Sequence, residues 1–196
     1  LPPHCMDFAQ PQNLWDQNLN ARIQNFRKEL ENAGIRLEVV PGMEIFGTPE
    51  VPELLKQKRM LGLNGSDYPL IEFPFSNYTV QATEILEDVL GIGMRPVIAH
   101  PERYYAVRRH PEMAQQWQEK GYGIQVNRDS LLGMFGEHPF YCADLLLRKG
   151  WANCIASDAH TPQFRNPHWG EAFRQLPGVY GFHTLAYCLE TYSLSI

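Results

Sequence analysis

An apolar run, Cys154-Ile155-Ala156, ends abruptly in Ser157-Asp158-Ala159-His160, with Arg165 following five residues after the histidine. A carboxylate and an imidazole at the end of a buried strand are costly unless something pairs with them. The pattern recurs upstream. Glu44 in PGMEI, Glu72 in LIEFP, His100 in VIAHPER and Asn127 in IQVN each close an apolar segment, and His4 in PPHCMDF precedes the first helix in the same way. Three imidazoles (His4, His100, His160) and three carboxylates (Glu44, Glu72, Asp158) in one confined space would repel or hold protons. A bound cation removes that difficulty. Mixed His/Asp/Glu ligation suits first-row divalent metals such as Mn, Fe or Zn, and bridging carboxylates suit a cluster of two or more. Arg103 follows His100 by three residues, and guanidinium grips phosphate oxygens in a bidentate fork. Metals and arginines around one pocket point to phosphoester hydrolysis with a metal-activated water as nucleophile.

Each of these residues also has a plainer reading. His4 alone reads as a loop histidine, Glu44 and Glu72 as salt-bridge partners, Arg103 and Arg165 as exposed charges, and His100 before Pro101 as a strand-end marker. Asn127 suits the N-cap of the helix that succeeds it, the role preferred for it here. His110, His138 and His168 sit beside prolines at helix boundaries and read as structural. Asp158-Ala159-His160 is the strongest single element; the rest gain weight from sharing one geometric position. Cys142 to Arg148 matches the C-x5-R spacing of cysteine-dependent phosphatases, but its Ala-Asp-Leu-Leu-Leu interior forms helix and not a phosphate-cradling loop. Cys142 therefore reads as core.

The elements that must position these groups alternate along the chain. Leu19, Ile23, Phe26, Leu30 and Ala33 recur at helical spacing over residues 12–33, with Gly34 as the stop. Apolar, β-branched segments centre near residues 39, 71, 98, 125 and 155, separated by helical patterns: a repeat of roughly thirty residues, which βα units produce. The strands are continuously hydrophobic, as in a parallel sheet covered on both faces. Parallel strands line up their C-terminal ends, and a closed βα-barrel brings those ends to one mouth whereas an open sheet spreads them along a line. Convergence on one site favours barrel-like closure.

Composition is that of an ordinary globular protein. The 196 residues fit a single domain, and a net charge of −5 argues against a nucleic-acid surface. No apolar run reaches membrane-spanning length, which excludes membrane insertion as the expectation. Cys5, Cys142, Cys154 and Cys188 lie far apart and read as reduced thiols of a cytoplasmic protein.

PGMEI, LIEFP, VIAHPERY, Q-x-N-x-x-S-x-x-G-x-F-G (Gln125 to Gly136) and ASDAH-x4-R, in that order, resemble the bacterial metal-dependent protein-tyrosine phosphatases of the PHP superfamily, associated with capsule and exopolysaccharide genes. The resemblance runs over nearly the whole chain. It implies an α/β fold, a distorted seven-stranded βα-barrel, and a manganese-preferring cluster of two to three metals, with Fe, Zn, Co or Mg as alternatives. It implies His4, Glu44, Glu72, His100, Asp158 and His160 as metal ligands, and Arg103 and Arg165 as the phosphate-engaging arginines alongside Asp158 in catalysis. Its substrate class is phosphotyrosine on proteins, notably a bacterial tyrosine autokinase. The family's Asp-x-His-x-His element has no counterpart here. The expectation is a single domain over residues 1–196 lacking its first βα unit, with fewer metals and a seam open to another chain. Two rival readings keep the site but change its use: a phosphatase of small esters such as histidinol phosphate, and a catalytically silent phosphopeptide-binding module.

Overall fold

The computed structural model describes residues 14–76 and 80–194; His4 lies outside them. Chain packing divides into two compact units, Glu72–Val80 with Val97–Ile196 forming one and Pro2–Ile71 with Gln81–Pro96 the other.

In the second of these, Gln17–Asn32 (α1) starts at Asp16, whose carboxylate accepts from the Leu19 amide at 2.8 Å. It stops at Gly34, whose φ of 70° is a left-handed conformation that glycine adopts at little cost. Glu44–Phe46 (β1) and Leu70–Glu72 (β2, whose last residue is counted with the first unit) are neighbouring strands, and Val51–Lys56 (α2) lies between them in sequence. Val80–Gly91 (α3) buries Ala82, Ile85, Leu86 and Val89, the i, i+3, i+4, i+7 stripe of an amphipathic helix. The first strand departs from the expectation centred on residue 39. Residues 35–43 form no strand, and Leu37 is 61% exposed. β-Propensity without a neighbouring strand to pair with, and with Pro41 withholding an N–H, does not produce one.

In the other unit, Val97–Ala99 (β3), Gly123–Asn127 (β4) and Cys154–Ala156 (β5) pair in parallel. Between them run Tyr105–Arg109 (α4), Glu112–Glu119 (α5), Arg128–Leu131 (α6) and Glu137–Arg148 (α7), succeeded after β5 by Gly170–Tyr180 (α8) and Phe182–Leu194 (α9). This is the βα alternation expected from the hydrophobic pattern. β4 is buried along its whole length, as a strand with neighbours on both sides and helices on both faces must be. Register brings the polar strand ends together. Ala99 pairs with Gln125, and Asn127 pairs with Ala156, so His100, Asn127 and Asp158 emerge from the same C-terminal edge.

Cys142 sits on α7, and burial, reinforced by the Glu102 charge, pushes its thiol up to about 12. A thiol held so far from its thiolate is a poor nucleophile. Cys142→Ala is expected to change p-nitrophenyl phosphate turnover by less than about twofold, and native protein to resist iodoacetamide at this position. A loss beyond tenfold would restore the cysteine mechanism. Cys142, Cys154 and Cys188 are all free thiols, as the wide spacing implies. No helix among the described residues is long and apolar enough to cross a membrane.

Candidate active site

Asp158 is the hub. Its side chain is 5% exposed, and Arg165 donates to its Oδ2. Asn127 Nδ2 donates to the same oxygen at 2.8 Å, and Arg103 Nη1 lies 3.9 Å from it. His100 Nε2 is 4.0 Å from Asp158 Oδ2 and 3.8 Å from Glu72 Oε1, and His160 Nδ1 is 3.6 Å from Asp158 Oδ1. Four residues expected at the strand ends, Glu72, His100, Asp158 and His160, therefore share one locus with Arg103 and Arg165. Glu44 begins β1 in the other unit, where it is almost wholly buried.

The backbone is bent to achieve this. His100, Asp158 and Arg165 have φ of 33°, 47° and 50°, the left-handed region that residues with a Cβ avoid. Such strain costs about 1–3 kcal/mol per residue and persists only where surrounding structure enforces it. Three instances in one site mark it as a place where geometry is held against local preference.

The donor set fits a divalent cation. The 3.8 and 4.0 Å separations at His100 are too long for hydrogen bonds. They are admissible between ligands of one ion, since donors each about 2.1 Å from it stand at most roughly 4.2 Å apart. His160 Nδ1 lies 2.8 Å from the Asp158 carbonyl oxygen. An Nδ1–H donating to that carbonyl leaves the lone pair on Nε2, the tautomer that ligating histidines adopt.

Two features are not legible in the residue order. Asn127 does stand at the N-cap position of α6, yet its side chain makes no capping bond and is spent on Asp158. Glu102, between His100 and Arg103, is 0% exposed: its Oε1 accepts from the Asn127 amide at 2.9 Å and from the Ser130 hydroxyl at 2.7 Å. Burial raises its carboxyl above the ordinary value, with the His100 charge and the hydrogen bonds opposing. Glu102 thus pins the strand end whose Asn127 side chain in turn steadies Asp158. Its HPER context signals a strand end but not which of its charges turns inward.

The matched family model is Capsular polysaccharide synthesis, CpsB/CapC, and it spans residues 1–189. The chain belongs to the CpsB/CapC family. YwqE of Bacillus subtilis, a tyrosine-protein phosphatase, is 37% identical over 154 residues, 79% of this chain and 61% of YwqE. CpsB of Streptococcus pneumoniae, also a tyrosine-protein phosphatase, is 31% identical over 179 residues, 89% of this chain and 72% of CpsB. Crystal structures of YwqE and CpsB, metal-dependent tyrosine phosphatases, provide a match with a TM-score of 0.89 at 32% identity, covering 98% of this chain and 77% of the other. The α/β fold of this CpsB/CapC chain is therefore the one those enzymes have. The chain spans 61% of the length of YwqE.

Charges of both signs crowd this site. Burial and then the neighbouring Arg165 charge lower Arg103 from its ordinary value, while Asp158, Glu102 and Glu72 oppose this. Two guanidiniums crowd one carboxylate.

Proposed function

We propose that the chain is a metal-dependent phosphatase that hydrolyses phosphotyrosine on proteins, among them a bacterial tyrosine autokinase regulating capsule or exopolysaccharide synthesis. The observation that carries this reading is the convergence of Arg103 and Arg165 on Asp158 beside Glu72 and His100. The layering supports it: the side chains of Arg103 and Arg165 are 21% and 25% exposed, whereas those of Asp158 and His100 are 5% and 2% exposed. Partly accessible cations beside the recessed Asp158 and His100 suit a phosphoryl group docking from solvent.

In this reading Glu72, His100, Asp158 and His160 hold divalent metal, joined by Glu44 and His4 as the family resemblance implies, and manganese is the assigned ion. The metal, when bound, supplies Lewis acidity towards a phosphoryl oxygen. Arg103 and Arg165 bind the non-bridging oxygens and neutralise charge that grows as the ester bond breaks. Asn127 keeps the Asp158 carboxylate in register between the arginines and His100. An oxyanion is bound by both guanidiniums with little reorganisation, because Asp158 has already brought them together.

The deciding measurement is turnover of a phosphotyrosyl peptide and of histidinol phosphate by the chain before and after EDTA. Peptide turnover is expected to vanish with chelation, to return with manganese, and to exceed that of histidinol phosphate. Activity indifferent to EDTA would sink the metal reading. Peptide binding without hydrolysis, with manganese present, would leave only a recognition module.

A further inference from the structure

Arg103 and Arg165 share more than a carboxylate. The Arg103 guanidinium carbon stands 4.9 Å from the Phe135 ring centroid, and that of Arg165 stands 5.9 Å from the same ring. The Phe75 ring centroid is also close to the Arg103 guanidinium carbon, at 4.2 Å. Phe75 is itself anchored, edge-on to His100 at 5.6 Å and stacked on Tyr104 at 6.0 Å. Arg103 thus meets two aromatic rings, one packed against His100 and the other common to both arginines.

Phe135 is placed by a turn between Gly133 and Gly136, whose φ values of 74° and 89° only glycine adopts freely. The Gly136 amide donates to the Gly133 carbonyl at 3.1 Å and closes that turn around the ring-bearing residue.

We propose that Phe135 is the positioning residue for the arginine pair: its one ring aligns both guanidiniums for the oxyanion, so a single side chain sets the phosphoryl grip of the whole site. The physical basis is the negative ring face, which attracts a cation within about 6 Å and more strongly where water is partly excluded. An aromatic partner aligns a guanidinium without occupying its N–H groups as a second carboxylate would. Those not spent on Asp158 remain available to phosphoryl oxygens. Phe135 need not touch the substrate. It acts through the two arginines, and the inference rests on the phosphatase reading only for what the grip is used for.

The test is calorimetric binding of phenylphosphonate, which is not hydrolysed, to the manganese-supplemented chain. Phe135→Leu is expected to weaken binding about tenfold, the order of losing two cation–π contacts. Replacing Phe135 by pentafluorophenylalanine keeps its shape but reverses the charge of the ring face, and is expected to weaken binding equally; a merely space-filling ring would show no change. In an Arg103→Met background the Phe135→Leu effect is expected to shrink to about twofold, because the residues act as one unit. Wild-type affinity in either Phe135 variant, multiplicative effects in the double variant, or no phenylphosphonate binding by the wild type would each overturn the proposal. Ring-dependent binding without peptide hydrolysis would support it while refuting the catalytic reading, so the two fail separately.

Discussion

Asp158→Ala is expected to lower kcat/KM for p-nitrophenyl phosphate with manganese on the order of 10³-fold, the scale of removing a group central to charge stabilisation. Its side chain meets many partners: Arg165, Arg103, His100, His160 and Asn127 all lie within 4.0 Å of its oxygens. Without it, the two guanidiniums lose the carboxylate they share, and the metal proposed for the site loses a ligand. The Asp158→Ala, His160→Ala double variant should fall little further, since groups acting as a unit are not additive. Stability also drops, by about 3 kcal/mol, because breaking a largely buried ion pair strands its partners. Asp158→Asn separates the two effects. Asparagine tolerates the left-handed backbone at φ 47° better than alanine and still accepts from Asn127, so it should keep more stability but recover no activity. Equal turnover by wild type and double variant would refute the site.

Glu102→Ala is expected to destabilise the chain by about 3 kcal/mol, measured as a lower urea midpoint at unchanged m. The Asn127 amide and the Ser130 hydroxyl both donate to Glu102 Oε1, and both would be left buried without that acceptor. Each stranded donor costs roughly 1–3 kcal/mol, partly offset because a carboxyl no longer has to be desolvated. Glu102→Gln keeps an acceptor in place and should cost about 1 kcal/mol. Activity should drop along with stability in the Ala variant, since Asn127 would no longer present its amide to Asp158 from a fixed strand end. Equal urea midpoints for the Ala and Gln variants would show that the two hydrogen bonds do not matter.

What the amino-acid order reveals by itself is the set of strand ends and their chemistry. β3, β4 and β5 fall on the apolar segments around residues 98, 125 and 155. Glu72, His100, Asp158 and His160 are legible because a polar group closing a buried strand is too costly to keep there without a partner. The α1 stop at Gly34 is equally readable, since a left-handed cap is a local requirement. Local preference fails where pairing decides: residues 35–40 carry a β-rich pattern but no strand.

Tertiary structure alone assigns partners. That Asn127 turns to Asp158 and not to its own helix, that Glu102 points inward while Arg103 reaches the mouth, and that Phe135 carries both arginines depend on the register of β3, β4 and β5 and on contacts between residues twenty-five or more positions apart. Residue type sets what a side chain can bond to. Which bond it makes is set by the neighbours that folding supplies and by the cost of leaving a buried polar group unmatched.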